Sequence, residues 1–381
     1  MTPMPSHMPS HTPSDTPSVT SDETGVAEAA ADTTPLVTDQ PGRGDARTPF
    51  AALPTRVKVI AVATAGVVLA AVAAVYTVGA AHRAEPADAV SAFGLDSGNL
   101  YFRSTAAGHG RVARLPAAPG VAAAERTTGG PACERFYAAG GTGLCLTRRP
   151  GIPPTSYAVV LDGKLREKRR IALTGIPNRA RVSASGRMLS WTMFATGDSY
   201  ATSSFSTRTS ILDTRTGYLI KNMEEIQLTL DGRRYHSPDV NYWGVTFARD
   251  DNRFYATVST KGHTYLVEGD MRTWKARTLR ENVECPSLSP DNTRLVFKKR
   301  VRPGATAPWR LYVLDLRTMR EAPLAEARSV DDQAAWLDDR TVGYALPGRA
   351  KGTSDVWTVP ADGSGAPVLR VPGGSSPAMV R

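Results

Sequence analysis

The sequence predicts an all-β fold, a six-bladed β-propeller ectodomain, preceded by a disordered tail and one transmembrane helix. Three observations support this. A polar N-terminal stretch precedes a long uncharged apolar run, a strand–turn–strand unit then recurs about six times, and no helical period lasts beyond one or two turns in the repeated part. We divide the chain into a tail (1–56), a helix (57–81), a linker (82–97) and the propeller (98–381).

The tail is predicted to be disordered and cytoplasmic. Pro, Ser, Thr, Ala and Asp dominate residues 1–50, and large apolar residues are nearly absent. Ordering such a segment costs conformational entropy that no apolar burial offsets. The whole chain has a net charge of +10, but acidic residues outnumber basic ones in the tail, so about +14 remains for the rest of the chain. The exported body is therefore strongly cationic.

The apolar run between Arg56 and His82 is predicted to be a membrane anchor. Lys58 is its only charged residue, which leaves about 23 uncharged residues, enough to span roughly 30 Å of hydrocarbon. Basic residues concentrate on the N-terminal flank, at Arg43, Arg47, Arg56 and Lys58. Because positive flanks stay in the cytoplasm, the propeller is predicted to lie outside the cytoplasm, on a single-pass protein of the cell membrane.

This run has two alternative explanations. A cleaved secretory signal would explain the small residues at 78–81, but signal cores are usually shorter and follow a short basic region, not a long tail. A buried core helix can be equally apolar, but rarely for this length without a charge. A retained anchor is favoured. Both a retained anchor and a cleaved signal predict that the part of the chain after the apolar run is exported.

The repeat unit consists of two strands joined by a tight polar turn, a variable loop, and a third strand that ends in another polar turn. The clearest copy is Ser287–Phe297 followed by Trp309–Leu324. Copies start roughly 40 to 60 residues apart, the spacing of four-stranded propeller blades. The starts lie near Gly98, Glu134, Val182, Val245, Ser287 and Ala335. The last residues look like the opening of a further unit, so Pro377–Val380 is predicted to join the first blade.

The unit SLSPDNTRLVF resembles the SPDG-type (PD40-type) repeat of the TolB-like, WD40-like six-bladed propellers, with Asp291 in the turn and Leu295–Phe297 as the following strand. The resemblance covers about residues 91–381. It implies a scaffold that binds other proteins or envelope components, and it does not imply an activity. The complete layout is similar to membrane-anchored proteins of actinobacteria, the high-GC Gram-positive bacteria.

The three cysteines fit an oxidising compartment. Cys133 and Cys145 flank what looks like a strand and a glycine-rich turn, where a disulfide would close a short loop. Cys285 stands alone and is interpreted as a small buried apolar residue.

The chemistry-bearing residues predict no enzyme, no metal site and no cofactor. No GxSxG, CxxC or HExxH motif occurs. The histidines of the exported part, His109, His236 and His263, are scattered in sequence. The doublets Asp250–Asp251, Asp331–Asp332 and Asp338–Asp339 are interpreted mainly as turn caps, with a calcium or carboxylate-pair site as the alternative.

A ligand face is predicted from the loops between the second and third strands of each unit. Strands alternate in direction, so all these loops emerge on one face of the ring, and many are basic. The candidate residues are Arg148, Arg149, Lys261, His263, Lys298, Lys299, Arg300, Arg302, Arg349 and Lys351. Their positive potential would attract an anionic lipid, an acidic polymer or an acidic protein, with nucleic acid excluded as an extracellular partner. The alternative is an ordinary solvated surface.

Three functions compete at this level. The first is a non-enzymatic, membrane-tethered scaffold that binds a protein or envelope component. The second is a propeller enzyme, a hydrolase or lyase, with its site at the central channel. The third is a transmembrane sensor that signals through the Ser- and Thr-rich tail, whose residues would accept phosphate.

Overall fold

The computed structural model describes residues 54–83, 93–106, 110–118, 121–152, 154–195 and 206–381. The tail predicted to be disordered, apart from its last residues, lies outside this part of the chain. So does most of the predicted linker. The chain divides into two compact units, with the boundary after Ala84.

The first unit contains helix α1 (Thr55–Arg83). Its Thr55–Val72 segment has a mean hydropathy of 1.8 and is long and apolar enough to cross a membrane, judged by length and composition. Large apolar side chains along it, such as Ile60 and Leu69, are exposed. A helix of this kind weakly suggests membrane anchoring.

The second unit is built from strands. In chain order they are β1 (Asn99–Ser104), β2 (Arg111–Pro116), β3 (Thr127–Ala132), β4 (Arg135–Ala139), β5 (Thr142–Arg149), β6 (Thr155–Leu161), β7 (Glu167–Leu173), β8 (Ile176–Val182), β9 (Met188–Ala195), β10 (Ser206–Asp213), β11 (Leu219–Ile220), β12 (Gln227–Leu230), β13 (Arg233–Tyr235), β14 (Asn241–Phe247), β15 (Arg253–Thr260), β16 (His263–Asp270), β17 (Lys275–Glu281), β18 (Glu284–Leu288), β19 (Arg294–Arg300), β20 (Trp309–Asp315), β21 (Glu321–Pro323), β22 (Ala335–Trp336), β23 (Thr341–Pro347), β24 (Ser354–Pro360), β25 (Val368–Val371) and β26 (Gly374–Val380). Two short 3₁₀ turns, Ala123–Glu125 and Met223–Glu225, lie between strands.

These strands form six sheets, which we call blades 1 to 6. From the innermost strand outward they are β26-β1-β2-β3, β4-β5-β6-β7, β8-β9-β10-β11, β14-β15-β16-β17-β12-β13, β18-β19-β20-β21 and β22-β23-β24-β25. Each sheet buries its faces against its two neighbours, so that a ring leaves no wet apolar face. The predicted six-bladed β-propeller is confirmed.

The turn between the first and second strands shows why the repeat specifies this fold. In blade 5, Oδ1 of Asp291 accepts a hydrogen bond from the Thr293 amide at 3.0 Å, and Asn292 between them adopts a left-handed φ of 63°. Short polar side chains favour such turns because they bond their own backbone. Asp250 and Asp338 each accept two backbone amide hydrogen bonds in the matching turns of blades 4 and 6. Two of the three acidic doublets are therefore turn caps, as interpreted.

The ring closes by pairing the two ends of the domain. Strand β26 supplies the innermost strand of blade 1, with Tyr101 opposite Ala378 and Leu100 opposite Met379. The prediction that Pro377–Val380 joins the first blade is confirmed. Ala378 is completely buried, so the last strand is part of the core.

The apolar core lies between the faces of neighbouring blades. One cluster joins Met188 and Ile211 of blade 3 to Phe254 and Val267 of blade 4. Equivalent clusters join the other neighbouring blades, including one that packs Phe102 of blade 1 with Val356 of blade 6. This continuity makes the whole ring one cooperative unit.

Gly269 is the position where this core is most sensitive to added volume. It pairs with Phe254 across the sheet, and a Cβ on Gly269 would lie 2.0 Å from Cζ of the Phe254 ring, which is fully buried. Gly269→Ala is expected to lower the free energy of unfolding by about 2 kcal/mol, because the ring has no free space to move into. Urea unfolding monitored by circular dichroism measures this. Gly163→Ala, whose Cβ would meet its nearest atom at an ordinary 3.6 Å, is the control, and an equal loss in both variants would contradict the packing argument.

Blade 4 carries an outer hairpin that the repeat did not indicate. Strands β12 and β13 pair with each other, and β12 adds to β17 in parallel, with Leu228 opposite Ala276. The turn of the hairpin is Asp231–Gly232, whose φ values are 50° and 76°. These left-handed values suit a two-residue hairpin turn, for which Asp-Gly is a preferred sequence.

The cysteines stabilise the junction between blades 1 and 2. Cys133 lies in the connection between β3 and β4 and forms a disulfide with Cys145 on β5, with 5.4 Å between their Cα atoms. Cys285 is unbonded and buried.

Phe93, inside the segment interpreted as a linker (82–97), packs on the propeller. Its side chain is only 5% exposed, and its ring meets the Tyr101 ring edge-on with 6.3 Å between centroids. The residues just before β1 therefore contribute to the core of the domain.

Candidate binding surfaces at the two mouths of the channel

The six innermost strands surround a central channel and begin at the same end of it. We call this end the loop mouth, because the loops between the second and third strands emerge there. The register shows this directly, since Glu284 at the start of β18 lies opposite Lys298 near the end of β19. We call the other end the turn mouth, because the tight turns capped by Asp250, Asp291 and Asp338 lie there.

The loop mouth contains a set of ion pairs that joins blades across the channel. Asp332, in the connection to blade 6, lies 3.7 Å from Nη1 of Arg135 in blade 2 and 3.6 Å from Nη1 of Arg179 in blade 3. Arg179 also lies 3.9 Å from Asp331. Pairing of this kind reduces the cost of placing the buried Arg179 guanidinium inside the ring.

A second part of this network is centred on Lys298. Its Nζ lies 2.6 Å from Asp331 and 3.8 Å from Glu284, and it stands 4.4 Å from the centroid of the Trp309 ring. The Lys298 and Glu284 side chains are only 4% and 8% exposed, whereas Asp331 is 70% exposed. Burial raises the pKa of Glu284 above its ordinary value, although Lys298 opposes this shift.

The ion-pair network of the loop mouth is therefore electrically balanced. Three cations, from blades 2, 3 and 5, face three carboxylates. Below them, the buried Gln333 side chain donates hydrogen bonds to the carbonyls of Val245 (3.3 Å) and Pro286 (2.9 Å) on the innermost strands of blades 4 and 5. These contacts fasten the channel wall.

The predicted ligand-face residues lie around this mouth, and most are exposed. The exposed ones are Arg148, Arg149, Lys261, His263, Arg300, Arg302, Arg349 and Lys351. Two are not free to bind a ligand. Lys298 is buried in the network just described, and Lys299 is partly buried in a salt bridge with Glu321. His263 is exposed but pairs with Glu281 at 2.6 Å.

Aromatic rings position several of the exposed cations. Arg149 lies 5.5 Å from the Tyr157 centroid, Lys261 lies 5.7 Å from Tyr235, and Arg300 lies 4.4 Å from Trp309. Such contacts are attractive and leave the charged group facing water. We call Arg148, Arg149, Lys261, Arg300, Arg302, Arg349 and Lys351 the basic rim. Among described residues, none of these side chains forms a salt bridge.

The turn mouth opens into a cavity of about 120 Å³. Residues from all six blades line it, among them Tyr137, Arg181, Phe247, Ser287 and Trp336. This cavity is distinct from the loop mouth. Its lining residues lie toward the ends of the innermost strands, whereas the ion-paired residues of the loop mouth lie toward the beginnings of those strands.

Sequence patterns alone do not identify Arg135, Arg179, Arg181 and Glu284 as channel residues. Arg179 and Arg181 were visible in the short segment Ile176–Val182, where two arginines alternate in a strand that borders the axis. The doublet Asp331–Asp332 was noted but interpreted through turn chemistry, whereas it belongs to the ion pairs of the loop mouth. Among the described residues, no group of three or more His, Cys, Asp or Glu is placed to hold a metal ion.

Several solved structures of other proteins are similar to this fold. The chain is similar to TolB from Acinetobacter baumannii, with a TM-score of 0.51 and 13% identity, over 74% of this chain and 66% of that one. Lower scores relate it to a putative TolB from Agrobacterium tumefaciens (TM-score 0.42, 11% identity, 65% of this chain and 84% of that one). A puromycin-hydrolyzing peptidase from Mycobacterium tuberculosis is also similar (TM-score 0.44, 14% identity, 70% of this chain and 42% of that one).

No protein-family model matches the chain, and no curated protein matches its sequence. The fold is nevertheless well defined by its six sheets and by the likeness to TolB. The resemblance inferred from the SPDN repeat is confirmed, and the second unit of this chain is a TolB-like six-bladed β-propeller.

Proposed function

We propose that this chain is a non-enzymatic, membrane-tethered scaffold whose extracytoplasmic propeller binds an acidic protein, or another anionic component of the cell envelope, at the loop mouth. The observation that carries this proposal is the basic rim. Its seven exposed cations come from blades 2, 4, 5 and 6 and surround one end of the ring.

The basic rim and the ion-pair network below it differ in how far their cations are matched by carboxylates. The buried cations of the loop mouth are matched by carboxylates, so they add little net potential. The rim cations form no salt bridge among the described residues, although the charges of Arg300 and Arg149 act on the carboxylates of Glu284 and Glu167. A surface with this excess of positive charge raises the encounter rate with a polyanion.

The membrane part of the proposal comes from α1 and its flanks. The helix is apolar over Thr55–Val72, and more basic residues lie at its N-terminal end, at Arg43, Arg47, Arg56 and Lys58, than at its C-terminal end, which favours a cytoplasmic N-terminus. The propeller then faces the outside of the cell membrane. Anchoring would hold the basic rim close to envelope components and raise their effective concentration.

The alternative, an enzyme with its site in the channel, requires catalytic groups that face a substrate. At the loop mouth the carboxylates of Glu284 and Asp332 are buried and point at cations of the ring itself. This arrangement favours a structural role for them. The proposal of a scaffold is therefore preferred over an enzyme at that mouth.

Charge reversal of the rim tests the proposal. The full chain is placed in nanodiscs of neutral phosphatidylcholine, and binding of fluorescent poly-L-glutamate is measured by anisotropy. Replacing Arg300, Arg302 and Lys351 by Glu is expected to weaken binding about tenfold or more at an ionic strength of about 0.1 M, because each change removes an attraction and adds a repulsion.

The matched control reverses three exposed arginines in the turns of the opposite face, Arg215, Arg317 and Arg340. The net charge then changes by the same amount, and binding is expected to fall less than about threefold, since exposed charges beyond a Debye length are screened. Equal weakening in both variants would show that binding follows net charge alone, and no weakening in the rim variant would reject the rim as the binding surface.

A further inference from the structure

We propose that the cavity at the turn mouth is a binding site for a single carboxylate group, held by Arg181. This site is separate from the basic rim and lies at the other end of the channel. It does not rest on the proposed function, because it involves different residues and a different ligand size.

The first observation is an uncompensated charge. The Arg181 side chain lines the cavity and the residue is only 4% exposed. Its Nη2 donates a hydrogen bond to the Ala334 carbonyl at 3.0 Å, and its guanidinium lies 4.3 Å from the centroid of the Tyr137 ring. Its Nε has no hydrogen-bond partner, and Arg181 forms no salt bridge with any described residue.

Arg181 differs in this respect from Arg179 at the loop mouth. Arg179 lies two residues earlier on the same strand and has two carboxylates within 4.0 Å. A buried guanidinium without an anion disfavours folding, because its charge has lost water and gained no opposite charge. A charge kept at that cost, beside a cavity that reaches solvent, is the expected state of an anion site before its ligand binds.

The shape of the cavity selects the anion. A volume of about 120 Å³ corresponds to roughly four water molecules, which suffices for a carboxylate with a short carbon stem but not for a hydrated polyanion. Buried aromatic side chains, Phe247 and Trp336, form part of the wall, and they suit the carbon stem. The planar fork of a guanidinium matches the two oxygens of a carboxylate.

The mouth of the cavity reinforces this preference. Arg249 lines it, is exposed, and is held by a hydrogen bond of 2.7 Å from its Nη2 to the Pro290 carbonyl. It adds positive potential along the path to Arg181. A carboxylate on a free short-chain acid and one at the end of a peptide both fit this chemistry, and the experiment separates them.

The test uses the full chain in detergent micelles and measures Tm at constant ionic strength. Sodium butyrate is compared with sodium chloride and with inorganic phosphate. At about ten times its Kd, butyrate is expected to raise Tm by about 3 °C, with no such rise for chloride or phosphate. A short peptide with a free C-terminal carboxylate is compared with the same peptide carrying a C-terminal amide. If only the peptide with the free carboxylate raises Tm, the site accepts the C-termini of peptides as well as free acids.

Two variants connect the effect to Arg181. Arg181→Gln is expected to remove the butyrate response, and Arg181→Lys is expected to weaken it at least fivefold by isothermal titration while keeping the charge and the fold. Arg294→Gln, which changes an arginine lying 5.1 Å from the Trp336 ring, serves as the control and should keep full binding. The proposal is overturned if wild-type Tm does not respond to any carboxylate, if phosphate acts equally, or if Arg181→Lys binds butyrate as tightly as the wild type.

Discussion

Deleting Gly374–Arg381 is expected to abolish cooperative unfolding of the propeller. The deletion removes all of β26, and with it the innermost strand of blade 1. Ala378 and Val380 would leave the core, and the partners of β26 on β1 would lose their backbone hydrogen bonds. The expected cost exceeds about 5 kcal/mol, most of the stability of a typical domain.

The loss should extend beyond blade 1, because that pairing joins the two ends of the ring and supports the packing of blade 1 on blade 6. Circular dichroism during heating should show a broad transition in place of a sharp one, with increased aggregation from the newly exposed edge of β1. Removing Arg381 alone is the control, since this residue is exposed and follows the strand. A sharp transition at an unchanged Tm in the longer deletion would show that closure is not required.

Lys298→Met is expected to lower the free energy of unfolding by about 3 to 5 kcal/mol near neutral pH. The substitution keeps the length of the side chain but leaves the buried carboxylate of Glu284 without its cation. Removing one partner of a buried pair is costly because the other charge stays in a poorly solvated place. Denaturant unfolding of both proteins measures the difference.

The pH dependence of this loss has a defined sign. Burial raises the pKa of Glu284, and Lys298 lowers it, so the substitution raises this pKa further. A carboxyl whose folded pKa lies above its unfolded value destabilises the protein when it is ionised, and the penalty disappears as it is protonated. The loss in Lys298→Met should therefore be greatest near about pH 7 and shrink as the pH is lowered toward about pH 5.

Two further variants separate charge from packing. Adding Glu284→Gln to Lys298→Met should restore most of the lost stability, since no unpaired charge then remains. Lys299→Met removes the next lysine along the strand, which is 25% exposed and paired with Glu321, and should cost clearly less. If the double variant is as unstable as the single one, the loss comes from packing and the ion-pair argument fails.

Much of the fold could be predicted because its information is local. The blades repeat a short alternating pattern, and in blades 4, 5 and 6 the first turn contains an aspartate that accepts hydrogen bonds from nearby backbone amides, as Asp291 does. These features act within a few residues, so they remain visible even in divergent copies. The closure by Pro377–Val380 was predictable for the same reason, since those residues look like the start of one more unit.

The channel could not be predicted because its chemistry is long-range. Whether Lys298 faces solvent or the axis depends on Glu284, which lies opposite on the neighbouring strand, and on Asp331, which comes from the next connection. Sequence alone placed Lys298 with the exposed loop cations. The surroundings of Arg181 could not be predicted for a similar reason, since its partners Tyr137 and Ala334 come from blade 2 and from the connection to blade 6.

The hairpin of β12 and β13 provides a site for attaching a label. It lies at the outermost edge of blade 4, and its turn residues Asp231 and Gly232 are exposed. A fluorophore or a short affinity tag inserted there would report on the protein from its periphery while leaving both ends of the axis unobstructed. Exposed turns of this kind tolerate insertions well, so the molecule can be tracked in cells without modifying either terminus.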